Sequence, residues 1–270
     1  MPLPHPSPTT SALVTGASSG IGAAIARRLA ARGHNVILVA RRAERLEELA
    51  TELRAQYAVK AEAIPADLAD PSSRADLIET VRATGQHVDI LVNNAGFATG
   101  GHYVASPRDR EVEQVRVLVE AVVELTSAFL PDMVERQAGA VLNVASTAGF
   151  QPLPYSAGYS AAKAHTLAFS EALHYEVRRK NVAVTALCPG PVNTEFWEVA
   201  VDQPIEKSMP RSMWVSIDAV AAAGLRGLER NKRVVVPGLG VRTLTAGGTL
   251  VPHRFKLPVL ARAMHPGASR

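Results

Sequence analysis

The stretch SALVTGASSGIGAAIARRLAARG, residues 11–33, joins an apolar run to a glycine turn and then to an amphipathic segment. SALVTG (11–16) reads as a strand, and GAAIARRLAARG (22–33) reads as a helix closed by Gly33. Gly16, Gly20 and Gly22 follow the spacing G-x-x-x-G-x-G, with Ser18, Ser19 and Ile21 among them. Glycine allows the tight turn and the close backbone approach that a pyrophosphate needs. The helix start behind it offers free N–H groups and a partial positive charge. A plain βα turn would also use glycine, but the strand–turn–helix order predicts a phosphate cradle. No G-K-[ST] follows, which argues against a P-loop.

Outward from this unit, apolar runs alternate with amphipathic ones. Further strands are read at 35–40, 61–68, 88–96, 139–147, 182–190 and 232–238. Helices are read at 42–57, 71–84, 107–136, 157–180 and 217–229. The strands are nearly continuous Val, Ile and Leu, as in a parallel sheet covered on both faces. The expected fold class is α/β, a doubly wound parallel sheet with helices on both faces and its ligands at the strand C-terminal edge. Right-handed crossovers bring those ends to one edge. With no internal repeat or linker, residues 1–270 are read as one domain. Its core is expected at 11–194 and 217–238, with an insert at 195–216 over the site and a basic, apolar tail at 239–270.

The chain is 47% apolar, enough for one sizeable core. Cys188 is the single cysteine, so it forms no internal disulfide; a buried core position and a reducing, cytoplasmic setting are expected. The start MPLPHPSPTTS lacks an apolar core and is expected to be neither a signal peptide nor a membrane span. Of the 29 Lys and Arg and 25 Asp and Glu, nine basic and one acidic residue lie from Arg226 onward. This tail could touch anionic lipid peripherally or serve as ordinary solvated surface. No nucleic-acid partner is expected. No His, Cys, Asp or Glu cluster has metal-ligand spacing, so no metal is expected.

The second strand ends at Ala40, and Arg41 and Arg42 follow. A dinucleotide fold that prefers NAD places an acid there to bind the ribose 2′-hydroxyl. Arginine instead binds a 2′-phosphate by charge-assisted hydrogen bonds, so NADP(H) is the expected cofactor. YSAGYSAAK (155–163) holds Tyr159 and Lys163 at i and i+4, which share a helix face. A phenol titrates at about 10 alone, and a neighbouring ammonium favours its ionised form.

TGASSGIG (15–22), NNAG (93–96), Ser146, YSAAK (159–163) and PGPVNT (189–194) occur in the order of the short-chain dehydrogenase/reductase family. The resemblance covers roughly residues 11–238, and the ordered set is highly specific. It implies a Rossmann-type sheet of about seven parallel strands with a nicotinamide cofactor. The implied reaction interconverts a secondary alcohol and a ketone or aldehyde. By the same resemblance Tyr159 is the general acid/base, Lys163 lowers the phenol's pKa and binds the nicotinamide ribose, and Ser146 holds the substrate oxygen. Tyr155 is left as a wall of the cleft or a packing residue. Asp67 and Leu68 resemble the adenine contact, and Asn94, Ala95 and Gly96 the turn past the adenine ribose. Asn93 is expected to hold backbone. Pro189, Gly190, Val192 and Thr194 resemble the segment at the nicotinamide carboxamide.

One position departs from the family pattern. Aligning LTSAFLPDM (125–133) puts Leu118 where the family commonly has a proton-relay asparagine, and 97–142 contains no asparagine. An active enzyme with a modified relay is one reading; a nucleotide-binding or scaffold protein with weak or no turnover is the other. Among the histidines at 102, 165, 174 and 253, His102 is the best candidate for an extra acid, because its loop should border the substrate. Apolar residues on several faces of the 107–136 and 157–180 helices suggest a homodimer or homotetramer. Phe196, Trp197, Ile205, Met209, Met213 and Trp214, with the tail, suggest a small, hydrophobic carbonyl or alcohol substrate, or apolar packing of a lid.

Overall fold

The computed structural model describes residues 3–193, 195 and 214–265. The chain begins with β1 (Thr10–Thr15), α1 (Gly20–Ala30), β2 (Asn35–Ala40), α2 (Ala43–Tyr57) and β3 (Ala61–Pro65). Then come α3 (Pro71–Ala83), β4 (His87–Asn93), α4 (Arg108–Val115), α5 (Ala121–Glu135) and β5 (Gly139–Val144). The remainder is α6 (Ala157–Val177), β6 (Val182–Leu187), α7 (Ile217–Glu229), β7 (Val234–Val235), α8 (Leu239–Leu250) and α9 (His253–Ala263). All strands pair in parallel, in the order β3-β2-β1-β4-β5-β6-β7. This is the doubly wound sheet that the uninterrupted apolar runs predict.

The register shows why those runs lack polar alternation. Leu13 lies opposite Ile37 and Leu91, Leu91 opposite Val141, and Val141 opposite Val184. This row faces the layer that contains Leu125 and Phe129 of α5. The preceding row, Ala12, Val36, Ile90, Ala140 and Ala183, faces the opposite layer with Ile25 of α1 and Leu225 of α7. Successive strand residues point to opposite faces, so a sheet covered on both sides needs apolar residues at every position. α3 starts where the sequence marks it, with Pro71 in its first turn and Asp70 accepting from Ser72 N at 3.0 Å.

Several expectations need adjustment, and β5, β6 and β7 are each shorter than the runs read at 139–147, 182–190 and 232–238. β3 and β4 end at Pro65 and Asn93, because the chain beyond them leaves the ladder to line the cleft. The long helix read at 107–136 is interrupted by a π-helical turn, Arg116–Glu120. There the Leu118 carbonyl accepts from Thr166 Oγ1 of α6 at 3.2 Å. The tail forms two helices rather than an appendage. Gly238, at φ +86°, turns the chain into α8, and Val241 packs so close to Gly190 that a Cβ there would lie 2.9 Å from Val241 Cγ1. Most of the 195–216 insert, including Phe196, Trp197, Ile205, Met209 and Met213, lies outside the described residues. Among the described residues no helix is long and apolar enough to cross a membrane.

β1 and β4 are locked together at their C-terminal ends. Thr15 Oγ1 donates to Val92 O at 3.2 Å and accepts from Asn94 N and Ala95 N at 2.9 and 3.0 Å. Asn94 Nδ2 donates to Thr15 O at 2.9 Å and Gly16 O at 3.3 Å. Asn94 therefore holds backbone, the role expected of Asn93. Asn93 instead bonds side chains: its Nδ2 donates to Asn143 Oδ1 at 2.8 Å and Thr126 Oγ1 at 3.1 Å. Asn94→Ala removes the donor to two turn carbonyls and should lower unfolding stability by about 1–3 kcal/mol in urea titration. Unchanged stability would show that the turn holds itself.

Candidate active site

The C-terminal edge of the sheet opens into a cavity of about 820 Å³. It runs from the glycine turn, past the ends of β2, β3, β4 and β5, to the inner side of α8 and α9. β1 pairs with both β2 and β4, so the strand order reverses beside it, and a doubly wound sheet opens a crevice at such a point.

At the cradle end, Gly16 and Gly20 adopt φ values of +65° and +57°. A Cβ on Gly22 would meet Gly16 O at 2.3 Å, so Gly22 serves turn packing and does not line the cavity. Gly16, Ser18, Ser19, Gly20 and Ile21 line it. Ser19 is the N-cap of α1, yet its side chain makes no capping bond, and the first turn carries no acid. The N–H groups at this helix start are thus left for a ligand, which fits a pyrophosphate.

Arg41 and Arg42 line the same end. Arg42 Nη2 donates to Ser18 Oγ at 3.0 Å and Ser19 Oγ at 2.9 Å, tying the strand end to the cradle. The sequence shows no carboxylate after β2, but the fold supplies two from elsewhere. Glu113 pairs with Arg41 at 3.2 Å, and Glu195 pairs with Arg42 and Arg45 at 2.8 and 2.7 Å. Hydrogen bonds from Arg42 and Arg45 pull the Glu195 carboxyl down to about 2. A phosphate bound by Arg41 and Arg42 would compete with these half-buried carboxylates.

Asp67 and Leu68, after β3, and Asn94, Ala95 and Gly96, after β4, line the middle of the cavity. Pro189, Gly190 and Val192 form part of its wall beyond β6, while Thr194 lies outside the described residues. Ser146 follows β5 and caps a short 3-10 turn, accepting from Ala148 N at 3.1 Å. Tyr159 and Lys163 project from the first turns of α6 into the same cavity. The Tyr159 and Ser146 hydroxyls share a hydrogen bond.

Lys163 is buried; its Nζ lies 5.8 Å from the Tyr159 ring centroid and donates to Val144 O at 2.7 Å. In this geometry the Tyr159 phenol stands above its ordinary value. Burial pushes the phenol up to about 12 against a smaller lowering from Ser146, and burial pulls the ammonium down to about 8. Desolvation dominates both groups, and the ammonium sits over the ring rather than against the hydroxyl. Cys188 is fully buried near this ammonium, and burial lifts its thiol to about 12, as suits an inert core residue.

Leu118 is the residue that the sequence aligns with the family's relay asparagine. It is 1% exposed, and its Cδ2 would meet a Cβ on Gly96 at 2.6 Å; Lys163 Nζ is 3.9 Å from the same point. An apolar side chain thus occupies the space beside the ammonium. Tyr155 resolves to a packing residue. Its backbone is left-handed at φ +62°, its carbonyl accepts from Gly101 N at 2.9 Å, and its ring meets His102 and His265 edge-on at 4.9 and 5.3 Å. Neither Tyr155 nor His102 is part of the cavity wall. His174 Nδ1 bonds Val184 O at 2.8 Å, and the His165 ring stacks on Phe169. Among the described residues no group of three or more His, Cys, Asp or Glu could hold a metal ion.

The far wall was missed as secondary structure. Val241, Leu244, Val251, Phe255, Leu260 and Met264 of the α8–α9 region line the cavity together with Lys256. Val241, Leu244 and Thr245 have helical spacing, but Gly247, Gly248 and Pro258 conceal the pattern.

Comparison with known proteins agrees with this geometry. A "short chain dehydrogenase" family model matches residues 10–204. The chain is 33% identical over 235 residues to a very-long-chain 3-oxoacyl-CoA reductase of Anas platyrhynchos, covering 84% of this chain and 72% of the relative. It superposes on a short-chain dehydrogenase from Sphingobium yanoikuyae in complex with NADPH with a TM-score of 0.79 and 34% identity, covering 89% of this chain and 93% of that one. A bulky-bulky ketone specific alcohol dehydrogenase from Comamonas testosteroni gives a TM-score of 0.75 at 28% identity, covering 92% and 99%. The sheet order, the glycine cradle and these matches together place the chain in the short-chain dehydrogenase/reductase family of oxidoreductases.

Proposed function

We propose that the protein is an NADP(H)-dependent oxidoreductase that interconverts an apolar secondary alcohol and the matching ketone or aldehyde. The observation that carries this reading is the placement of Ser146, Tyr159 and Lys163 in one cavity with the glycine cradle and Arg41 and Arg42. The uncapped start of α1 suits the pyrophosphate, and the two arginines suit a 2′-phosphate. The solved relative bound to NADPH supports the same choice. When bound, the nicotinamide supplies or accepts the hydride.

The chain's own residues handle the proton and the orientation. Ser146 and Tyr159 share a hydrogen bond, so a carbonyl oxygen placed between them accepts from both hydroxyls. With the phenol at about 12, Tyr159 is protonated at neutral pH, the state that reduction requires. In the oxidation direction Tyr159 must first give up its proton, and a charged Lys163 favours that loss. The apolar helices of the far wall exclude water and suit a lipophilic substrate. The named substrates of two relatives, a very-long-chain 3-oxoacyl-CoA and bulky ketones, support that class. Retention of serine, tyrosine and lysine supports turnover in spite of Leu118. The exposed Val112 and Val115 on α4 and Tyr175 on α6 support pairing with a second copy.

Tyr159→Phe should lower NADPH-dependent ketone reduction by roughly 10²–10⁴-fold while leaving coenzyme affinity nearly intact. Unimpaired turnover in that variant, or a clear preference of the native protein for NADH, would overturn the reading. Reduction should be nearly level between about pH 6 and 8, whereas alcohol oxidation should rise with pH as the Tyr159–Lys163 pair sheds its proton. An oxidation rate that fell over that range would contradict the proton assignment. Sedimentation at micromolar concentration should give a dimer or tetramer; a monomer alone would remove the pairing of α4 and α6.

A further inference from the structure

Lys256, on α9, is a charged residue inside the apolar far end of the cavity. It is 8% exposed, and its Nζ donates to Gly248 O in the last turn of α8 at 2.8 Å. Among the described residues no carboxylate pairs with it. The acids that line the cavity are Asp67 and Glu195. Asp67 follows β3, and Glu195 is already bonded to Arg42 and Arg45. The last carbonyls of a helix present roughly half an elementary negative charge. That attracts an ammonium but does not neutralise it, and one carbonyl uses one of its three donors. A buried, unneutralised cation is costly unless an anion meets it.

The surroundings say what kind of anion fits. Leu244, Val251, Phe255 and Leu260 line the cavity around this helix pair. Gln151, five residues past Ser146, lies beside the same turn: a Cβ at Gly248 would be 3.7 Å from Gln151 Oε1. The Gln151 side chain and the Lys256 ammonium thus both lie at Gly248, the amide carries a donor besides that oxygen, and Gln151 connects this point to the chain leaving Ser146. We propose that Lys256, assisted by Gln151, binds a carboxylate at the far end of an otherwise hydrophobic carbonyl substrate. The substrate class is thus a long-chain oxo acid in free-acid form. The inference rests on the cavity being the carbonyl-substrate site described above.

The test uses the purified full-length protein and a binding probe that needs no turnover. Dodecanoate and methyl dodecanoate are titrated by calorimetry into the NADPH-loaded native protein, Lys256→Met and Lys256→Arg. The native protein should bind the acid about tenfold or more tightly than the ester, Lys256→Met should abolish that preference, and Lys256→Arg should retain part of it. An oxo-acid and its methyl ester, assayed by NADPH oxidation, should show the same ratio in kcat/KM. Equal acid and ester affinity in the native protein overturns the proposal, and so does a Lys256→Met variant that keeps the preference. A lower Tm in Lys256→Met with the acid preference intact would make Lys256 a helix cap only. Failure of every carbonyl to be reduced, with the binding preference intact, would sink the oxidoreductase reading and leave this anion site standing.

Discussion

The junction of Thr15 with Asn94 is the constraint on which the rest of the site depends. A glycine turn has little stiffness of its own, since glycine gives up side-chain contacts for backbone freedom. Here the turn after β1 is bound to the end of β4 through one threonine hydroxyl and one asparagine amide. The phosphate cradle and the loop that carries Gly96 therefore move as one body. Gly96 in turn touches Leu118 and lies near Lys163. A displacement of the turn would thus reach Lys163 through a chain of direct contacts, without any help from a ligand.

A second, buried set of polar contacts holds the other half. Asn93 donates to Thr126 and Asn143, Asn143 donates to Ser170, and Ser170 donates to Thr166 O at 2.6 Å. This rail crosses from β4 through β5 to α6, the helix that bears Tyr159 and Lys163. Each of its groups would be costly if left unpaired in so dry a place. It fixes the rotation and height of α6 against the sheet more specifically than apolar contacts can, because hydrogen bonds tolerate little displacement.

Much of this was legible in the sequence because the relevant signals are local. Continuous apolar strands, Pro71 behind Asp70 and the glycine turn each act within a few residues, and the seven strands were all recognised. That Ser146, Tyr159 and Lys163 meet in one cavity was legible through an ordered resemblance rather than through chemistry. What remained hidden depends on distant partners. Nothing near Arg42 in the chain announces Glu195, and nothing in NNAG tells which asparagine faces backbone. The rise of the Tyr159 hydroxyl reflects how deeply the fold buries it, which i and i+4 spacing does not encode. The π-helical turn at Leu118 and the helices of the tail were obscured by weak or interrupted periodicity.

β7 is the shortest strand, and it joins the sheet through two residues, Val234 and Val235. The helices that close the far side of the cavity, α8 and α9, follow it in the chain. A ladder this short has a low free energy of local opening, since few bonds must break together. Val241 against Gly190 is one of the contacts that hold the following helices to the sheet in spite of so short a ladder. The cradle end of the cavity is built on the interior strand β1, whereas its far wall follows the sheet's edge strand, so the two ends of one cavity rest on parts of the sheet of very different cooperativity.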